Sequence, residues 1–97
     1  MSEESEWQFD QPPNCAVISV REIVFGDKPI LFVSRDEGDH GWQFLAGDTV
    51  SKEEAVVVGL GEVVKLDPSV LKLFDLPPGW VATRPSANAS WERGPRS

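Results

Sequence analysis

The sequence consists of short apolar runs that turn-forming residues interrupt before any run exceeds strand length. Gly26 to Pro29 separates the first two runs, and Gly38 and Gly41 separate the second from the third. Glycine and proline favour reversals, and apolar runs of this length favour buried strands. We therefore predict a three-stranded meander whose first two strands pair antiparallel. Its strands are residues 15–20, 30–34 and 42–45.

The second half of the chain mixes strand and helix signals. Ser51 precedes Glu54 at the spacing of a capping box, but the β-branched residues 56–58 follow, and we predict a turn and then a short strand. Asp67 is a good helix N-cap before Pro68, which predicts a short helix over residues 68–75. Its apolar stripe is predicted to be Val70, Leu71 and Phe74. Residues 59–62 are interpreted as a turn, and 80–84 as a closing strand.

These elements indicate an α+β domain without regular βαβ alternation. We expect a small antiparallel sheet of about four to five strands, with one or two short helices packed on it. A chain of 97 residues supports one such core. We assign residues 1–13 to a flexible acidic arm, 14–84 to the α+β domain and 85–97 to a loose C-terminal tail. Trp42 and Trp80 are expected to be structural, whereas Trp7 and Trp91 are candidates for exposure.

Composition excludes several classes of function. The formal net charge of −7 and the scattered basic residues argue against binding to nucleic acid. No long apolar stretch or basic leader is present, so we expect no membrane segment and a cytoplasmic location. Cys15 is the only cysteine and therefore forms no internal disulfide. We interpret it as an inert buried thiol.

An acidic, glycine-punctuated segment starts at Arg35 and continues into the third strand. From there to Glu54 the sequence has six acidic residues against two basic ones, Arg35 and Lys52. Such a surface is complementary to a basic protein partner. The predicted partner surface comprises Asp36, Glu37, Asp39, His40, Trp42 and Asp48.

The same segment also contains residue types that metal binding and catalysis use. His40 with Asp36, Glu37 and Asp39 offers the atoms that metals bind, but it lacks the spacing of known helical or loop sites. We therefore predict no metal, no cofactor and no catalytic residue, and we expect a protein that is not an enzyme. A small hydrolase that uses His40 and its neighbouring carboxylates is the alternative of another class.

The chain also carries a recognisable set of motifs. They are residues 15–19, the block Gly-Trp-Gln-Phe-Leu-Ala-Gly-Asp at 41–48, Leu-Asp-Pro-Ser at 66–69, Leu-Pro-Pro-Gly at 76–79, and Arg84. In their order and spacing the chain resembles the bacterial immunity protein 33 family, first catalogued as a domain of unknown function. The resemblance covers about residues 14–84. Gln43 stands where the family often has Arg, and the stretch after Asp48 is less acidic than expected.

The resemblance implies a cytoplasmic bacterial protein that binds and neutralises a toxin, with a basic toxin domain as partner. The alternative is a general protein-binding or regulatory module that has no toxin to oppose. A toxin gene immediately upstream would separate the two. Both a monomer and a homodimer remain open, because an exposed edge strand can pair two copies.

Overall fold

A computed structural model describes residues 9, 11–26, 28–37, 41–47 and 52–95. This part of the chain contains β-strands, short α-helices and 3₁₀ helices that build one sheet and its cover. In chain order they are β1 (Ala16–Val20), α1 (Arg21–Val24), β2 (Phe32–Arg35), β3 (Trp42–Leu45), a 3₁₀ helix (Lys52–Glu54), β4 (Ala55–Gly59), α2 (Leu60–Leu66), a second 3₁₀ helix (Pro68–Leu73), β5 (Trp80–Thr83) and β6 (Glu92–Pro95).

The sheet has six strands in the order β4-β1-β3-β2-β5-β6. β1 and β3 are parallel, and every other neighbouring pair is antiparallel. The α+β class is confirmed. The sheet is larger than the predicted four to five strands, and it is mixed where an antiparallel sheet was expected.

The predicted antiparallel pairing of the first two strands is wrong. β1 pairs with β3 and β4, whereas β2 pairs with β3 and β5. The cause lies in the connection, because α1 begins at Arg21 directly after β1 and carries the chain away from the sheet. The turn residues that follow therefore do not close a hairpin, and β3 takes the place beside β1.

The core lies on the face of the sheet that the short helices cover. Val33, Phe44 and Ala82 are neighbours across β2, β3 and β5, and all three are fully buried. α2 adds Leu60 and Val63 to the same apolar cluster. These two residues lie three apart on the helix and therefore share one face. The turn predicted at residues 59–62 is consequently wrong, since Gly59 precedes a helix with an apolar stripe.

The helix predicted at residues 68–75 is a 3₁₀ helix over Pro68–Leu73. Its predicted cap is confirmed, because Oδ1 of Asp67 accepts hydrogen bonds from the backbone N of Ser69 at 3.1 Å and from its Oγ at 2.7 Å. A period of three residues puts Val70 and Leu73 on the buried side. Phe74, which the α-helical stripe predicted to be buried, is 37% exposed.

Both segments outside the predicted domain contribute to the fold in their described parts. Phe9 is 5% exposed and belongs to the core. β6 pairs antiparallel with β5, although residues 85–97 were predicted as a loose tail. The sequence of β6 is polar and lacks the apolar pattern from which strands are predicted. Trp91, just before β6, is half-buried against the core. No helix in the described ranges is long and apolar enough to cross a lipid bilayer.

Candidate functional site

The turn between β2 and β3 holds the described part of the acidic segment. Asp36 and Glu37, which we call the acidic pair, are both exposed. The backbone N of Asp36 donates to the carbonyl O of Gly41 at 2.7 Å, which closes the turn. Asp39, His40 and Asp48 of the predicted partner surface lie outside the described residues.

Arg35 ties this turn to the segment before β5. Its carbonyl O accepts a hydrogen bond from the backbone N of Gly79 at 2.7 Å. Its guanidinium Nη1 donates to the carbonyl O of Leu76 at 2.8 Å. The acidic pair therefore follows a residue whose backbone and side chain both contact another segment, and this restricts the positions that the pair adopts.

Trp42 lies beneath the turn and is not part of the surface. It is 1% exposed, and the guanidinium carbon of Arg35 lies 5.2 Å from the centre of its ring. The indole Nε1 donates to Oε1 of Gln11 at 3.1 Å. The ring was predicted both as structural and as part of the partner surface. Because Trp42 is buried, its role is structural: the ring lies in the core and contacts the guanidinium of Arg35.

The described acidic residues of the segment 35–54 are divided between opposite ends of the sheet. The acidic pair follows β2 at the end where Arg35 pairs with Trp42. Glu53 and Glu54 precede β4 at the end where Ala55 pairs with Val20. Because β1 is parallel to β3, Val20 and Trp42 lie toward opposite ends. The described carboxylates therefore do not form one surface. Of these residues, the acidic pair is the one that lies beside the block at 41–48.

Gly79 lies beside Glu37 of the acidic pair, and its own backbone has a conformation that other residues rarely adopt. Its φ is +83°, and a Cβ built there would lie 3.5 Å from the carboxyl carbon of Glu37. The space accommodates a methyl group, but a positive φ costs an L-residue roughly 1–2 kcal/mol.

We expect Gly79→Ala to lower the free energy of unfolding by about 1–2 kcal/mol, measured by urea denaturation. Gly94→Ala is the matched control, because a Cβ at Gly94 meets nothing within 4 Å and its φ is not positive. Equal effects of the two substitutions would contradict a conformational role for Gly79.

A buried ion pair joins Asp67, just before the second 3₁₀ helix, to Arg84, just after β5. This pair was not predicted from the sequence. Arg84 is 6% exposed, and its Nη2 lies 2.6 Å from Oδ2 of Asp67. Nε donates to the carbonyl O of Ile30 at 2.9 Å, and Nη1 donates to Oγ of Ser69 at 3.0 Å. The ring of Trp91 lies 4.2 Å from the guanidinium carbon. With so many protein partners, this arginine has a structural role.

Exposed apolar side chains lie on both faces of the sheet beside β4 and were not predicted from the sequence. The exposed fractions are 65% for Val57 on one face, and 75% for Phe25 and 49% for Leu66 beside Val58 on the other. The signal available in the sequence was the run of β-branched residues at 56–58, which predicted the strand but not its position in the sheet. Exposed apolar side chains such as Phe25 and Leu66, which line one groove, are typical of interaction surfaces.

Within the described residues, no group of three or more His, Cys, Asp or Glu lies close enough to hold a metal ion. Cys15 is half-buried rather than buried as predicted, and its Sγ donates to the carbonyl O of Ala16 at 3.7 Å.

No protein-family model, curated protein or solved structure matches this chain. A fold by itself does not specify a function, so the function is inferred from the surfaces that the fold presents.

Proposed function

We propose that this protein binds a basic protein partner through the acidic pair, and that the partner is a bacterial toxin domain that it neutralises in the cytoplasm. The observation that carries the proposal is the presentation of Asp36 and Glu37 on a tied turn. Their carboxylates are exposed, while hydrogen bonds hold the peptide group between Arg35 and Asp36 and the Arg35 side chain.

Two physical effects favour this use of the turn. The net charge of −7 attracts a basic partner at long range, and exposed carboxylates at the contact accelerate the encounter and select against acidic partners. The backbone between Arg35 and Asp36 is already held by hydrogen bonds, so it loses less conformational entropy on binding than a free segment. The first effect depends on charge, so binding is expected to weaken as salt screens it.

The choice of a toxin rests on the resemblance to the immunity protein 33 family. Its block at 41–48 starts at Gly41, whose carbonyl O closes the turn, and continues with Trp42, which supports Arg35 from the core. The buried residues of the block would thus serve to present the acidic pair. A general binding module without a toxin makes the same use of the turn and differs only in its partner.

We expect Asp36→Asn combined with Glu37→Gln to weaken the partner complex by roughly tenfold or more, corresponding to about 1.4 kcal/mol. The partner is first identified by pull-down with the tagged full chain from its host. Affinity is then measured by titration calorimetry at low and high salt. The matched control is Glu22→Gln combined with Glu92→Gln, which removes the same charge from exposed positions at the opposite end of the sheet.

If both double variants lose affinity equally, only the net charge matters and the acidic pair is not the contact. A basic partner that is toxic when expressed alone and harmless with the wild-type protein would support neutralisation. A recurrent partner without toxicity would replace the toxin with the general binding module.

A further inference from the structure

β4 forms one edge of the sheet, and its sequence leaves that edge open to pairing. It is the first strand in the order β4-β1-β3-β2-β5-β6 and has β1 as its only neighbour among the described strands. Its sequence, Ala-Val-Val-Val-Gly, contains no charged residue and no proline. Charges and prolines are the usual devices that protect an edge strand from further pairing.

The hydrogen-bond pattern shows which peptide groups of β4 point outward. The backbone N of Leu60 donates to the carbonyl O of Cys15 at 2.8 Å, in register with the pairing of Ala16 and Gly59. In an antiparallel pair, residues that bond to the neighbour alternate with residues that do not. Val56 and Val58 therefore bond to β1, and the peptide groups of Ala55, Val57 and Gly59 point away from it.

The same alternation fixes the direction of the Ile18 peptide groups. Ile18 lies opposite Val57 in β4 without bonding to it, so its peptide groups point toward the parallel strand β3, where Ile18 is in register with Gln43. The N–H and C=O of Val57 thus face the open edge.

Apolar side chains flank this edge on both faces of the sheet. On one face, Val57 is 65% exposed. On the other, Val58 lines a groove of about 290 Å³ together with Val24, Phe25 and Leu66. A strand added to the edge would alternate its side chains between these two apolar surfaces.

We propose that the occupant of this edge is β4 of a second copy of the chain, paired antiparallel about a two-fold axis at Val57. The outward residues are symmetric about that point, so Val57 bonds to Val57 of the second copy and Ala55 bonds to its Gly59. The same register places Val56 of each copy opposite Val58 of the other, against the apolar groove. One continuous sheet then joins the two six-stranded sheets.

The paired strands carry no charge themselves, so two copies can meet at this edge despite the net charge of −7. In this register Glu54, which is exposed, lies opposite Leu60 of the second copy. Lys65 and Glu62 both line the grooves beside this position and form an ion pair, with Nζ and Oε2 3.7 Å apart. Each Glu54 therefore meets a locally neutral pair of side chains.

This surface is separate from the acidic pair, because β1 and β3 lie between β4 and β2. A five-residue strand with three valines makes an interface smaller than the standard size of about 1,600 Å². We therefore expect a monomer–dimer equilibrium that shifts with protein concentration.

The test is sedimentation velocity of the full chain from about 1 µM to about 1 mM, a range suited to a small interface. Val57→Lys is expected to raise the dissociation constant of the dimer at least tenfold, because it places two lysines opposite each other. Phe74→Lys is the matched control, since Phe74 is an exposed apolar residue outside this edge and is expected to change the constant less than about threefold. Circular dichroism checks that both variants fold.

Hydrogen exchange gives a second measurement on the unaltered protein. The Val57 amide is expected to exchange fast in dilute solution and to gain protection as the concentration rises, whereas the Val56 amide is protected throughout. A wild-type chain that stays monomeric over the whole range overturns the proposal. So does a dimer that Val57→Lys does not weaken, or a Val57 amide whose exchange does not depend on concentration.

Discussion

Arg84→Met is expected to lower the free energy of unfolding by about 3–5 kcal/mol, because removing one partner of a buried ion pair leaves the other charge uncompensated. The Arg84 side chain is 2% exposed, and the carboxylate it contacts on Asp67 is 22% exposed. Methionine fills much of the volume of the arginine stem but donates no hydrogen bond. Oδ2 of Asp67 and the carbonyl O of Ile30 then lose their donor.

The effect is large relative to the whole stability of a small domain, which is typically about 5–15 kcal/mol. Urea denaturation, followed by circular dichroism, measures this effect. We expect a lower midpoint urea concentration and an unchanged dependence of the unfolding free energy on urea. Asp67→Asn and the double variant complete a double-mutant cycle. The changes in unfolding free energy should be strongly non-additive, because the two side chains are in contact.

Arg93→Met is the matched control for Arg84→Met. Arg93 also contacts a carboxylate, with Nη1 lying 2.7 Å from Oδ1 of Asp75. Its side chain is 34% exposed and that of Asp75 is 56% exposed, so solvent screens the pair. We expect a loss of about 0–1 kcal/mol. If Arg84→Met lowered the free energy of unfolding no more than Arg93→Met, burial would not be the reason that the Arg84–Asp67 pair matters.

Trp42→Ala is expected to lower the free energy of unfolding by about 3–5 kcal/mol, the usual range for deleting a large buried aromatic side chain. The ring packs edge-on against Phe9 at 5.2 Å between centroids and stacks on Phe44 at 5.9 Å. Alanine removes both contacts and leaves a cavity at the start of β3. Urea denaturation again provides the measurement.

A local measurement distinguishes loss of the ring from general destabilisation. Trp42 connects Phe9 and Gln11 to the sheet, through the aromatic contact and the hydrogen bond from Nε1. In Trp42→Ala, backbone amides of residues 9 and 11 should therefore exchange faster at denaturant concentrations where the sheet is intact. Trp42→Phe retains most of the apolar contact without the N–H donor and is expected to cost about 1–2 kcal/mol. Unchanged exchange at these residues would show that the ring does not anchor them.

The sequence predicted individual elements better than their arrangement. The apolar runs that became β1, β2 and β3 and the Asp67 cap were visible because turn residues and capping residues act locally. Pairing partners were not visible, since the neighbour of β1 depends on where α1 directs the chain. The nearest run in sequence was therefore not the nearest strand in space.

The candidate site shows the same limit. The acidic composition of residues 35–54 is a property of the sequence, but β3 lies between its two halves and places them at opposite ends of the sheet. Trp91 and β6 were missed for a related reason. Trp91 contacts Arg84 and Ser69, and β6 pairs with β5, and none of these tertiary contacts is visible in the polar sequence of the segment.

The position of β1 has a consequence for how the chain folds during synthesis. Ile18 pairs with Gln43 on one side and Val57 on the other, so both neighbours of the first strand are synthesised after it. β1 therefore emerges from the ribosome with Val17 and Val20 exposed, and it gains its last partner only when β4 has emerged. Long-range pairing of this kind slows folding and leaves an apolar strand open to chaperones and to aggregation in the interval.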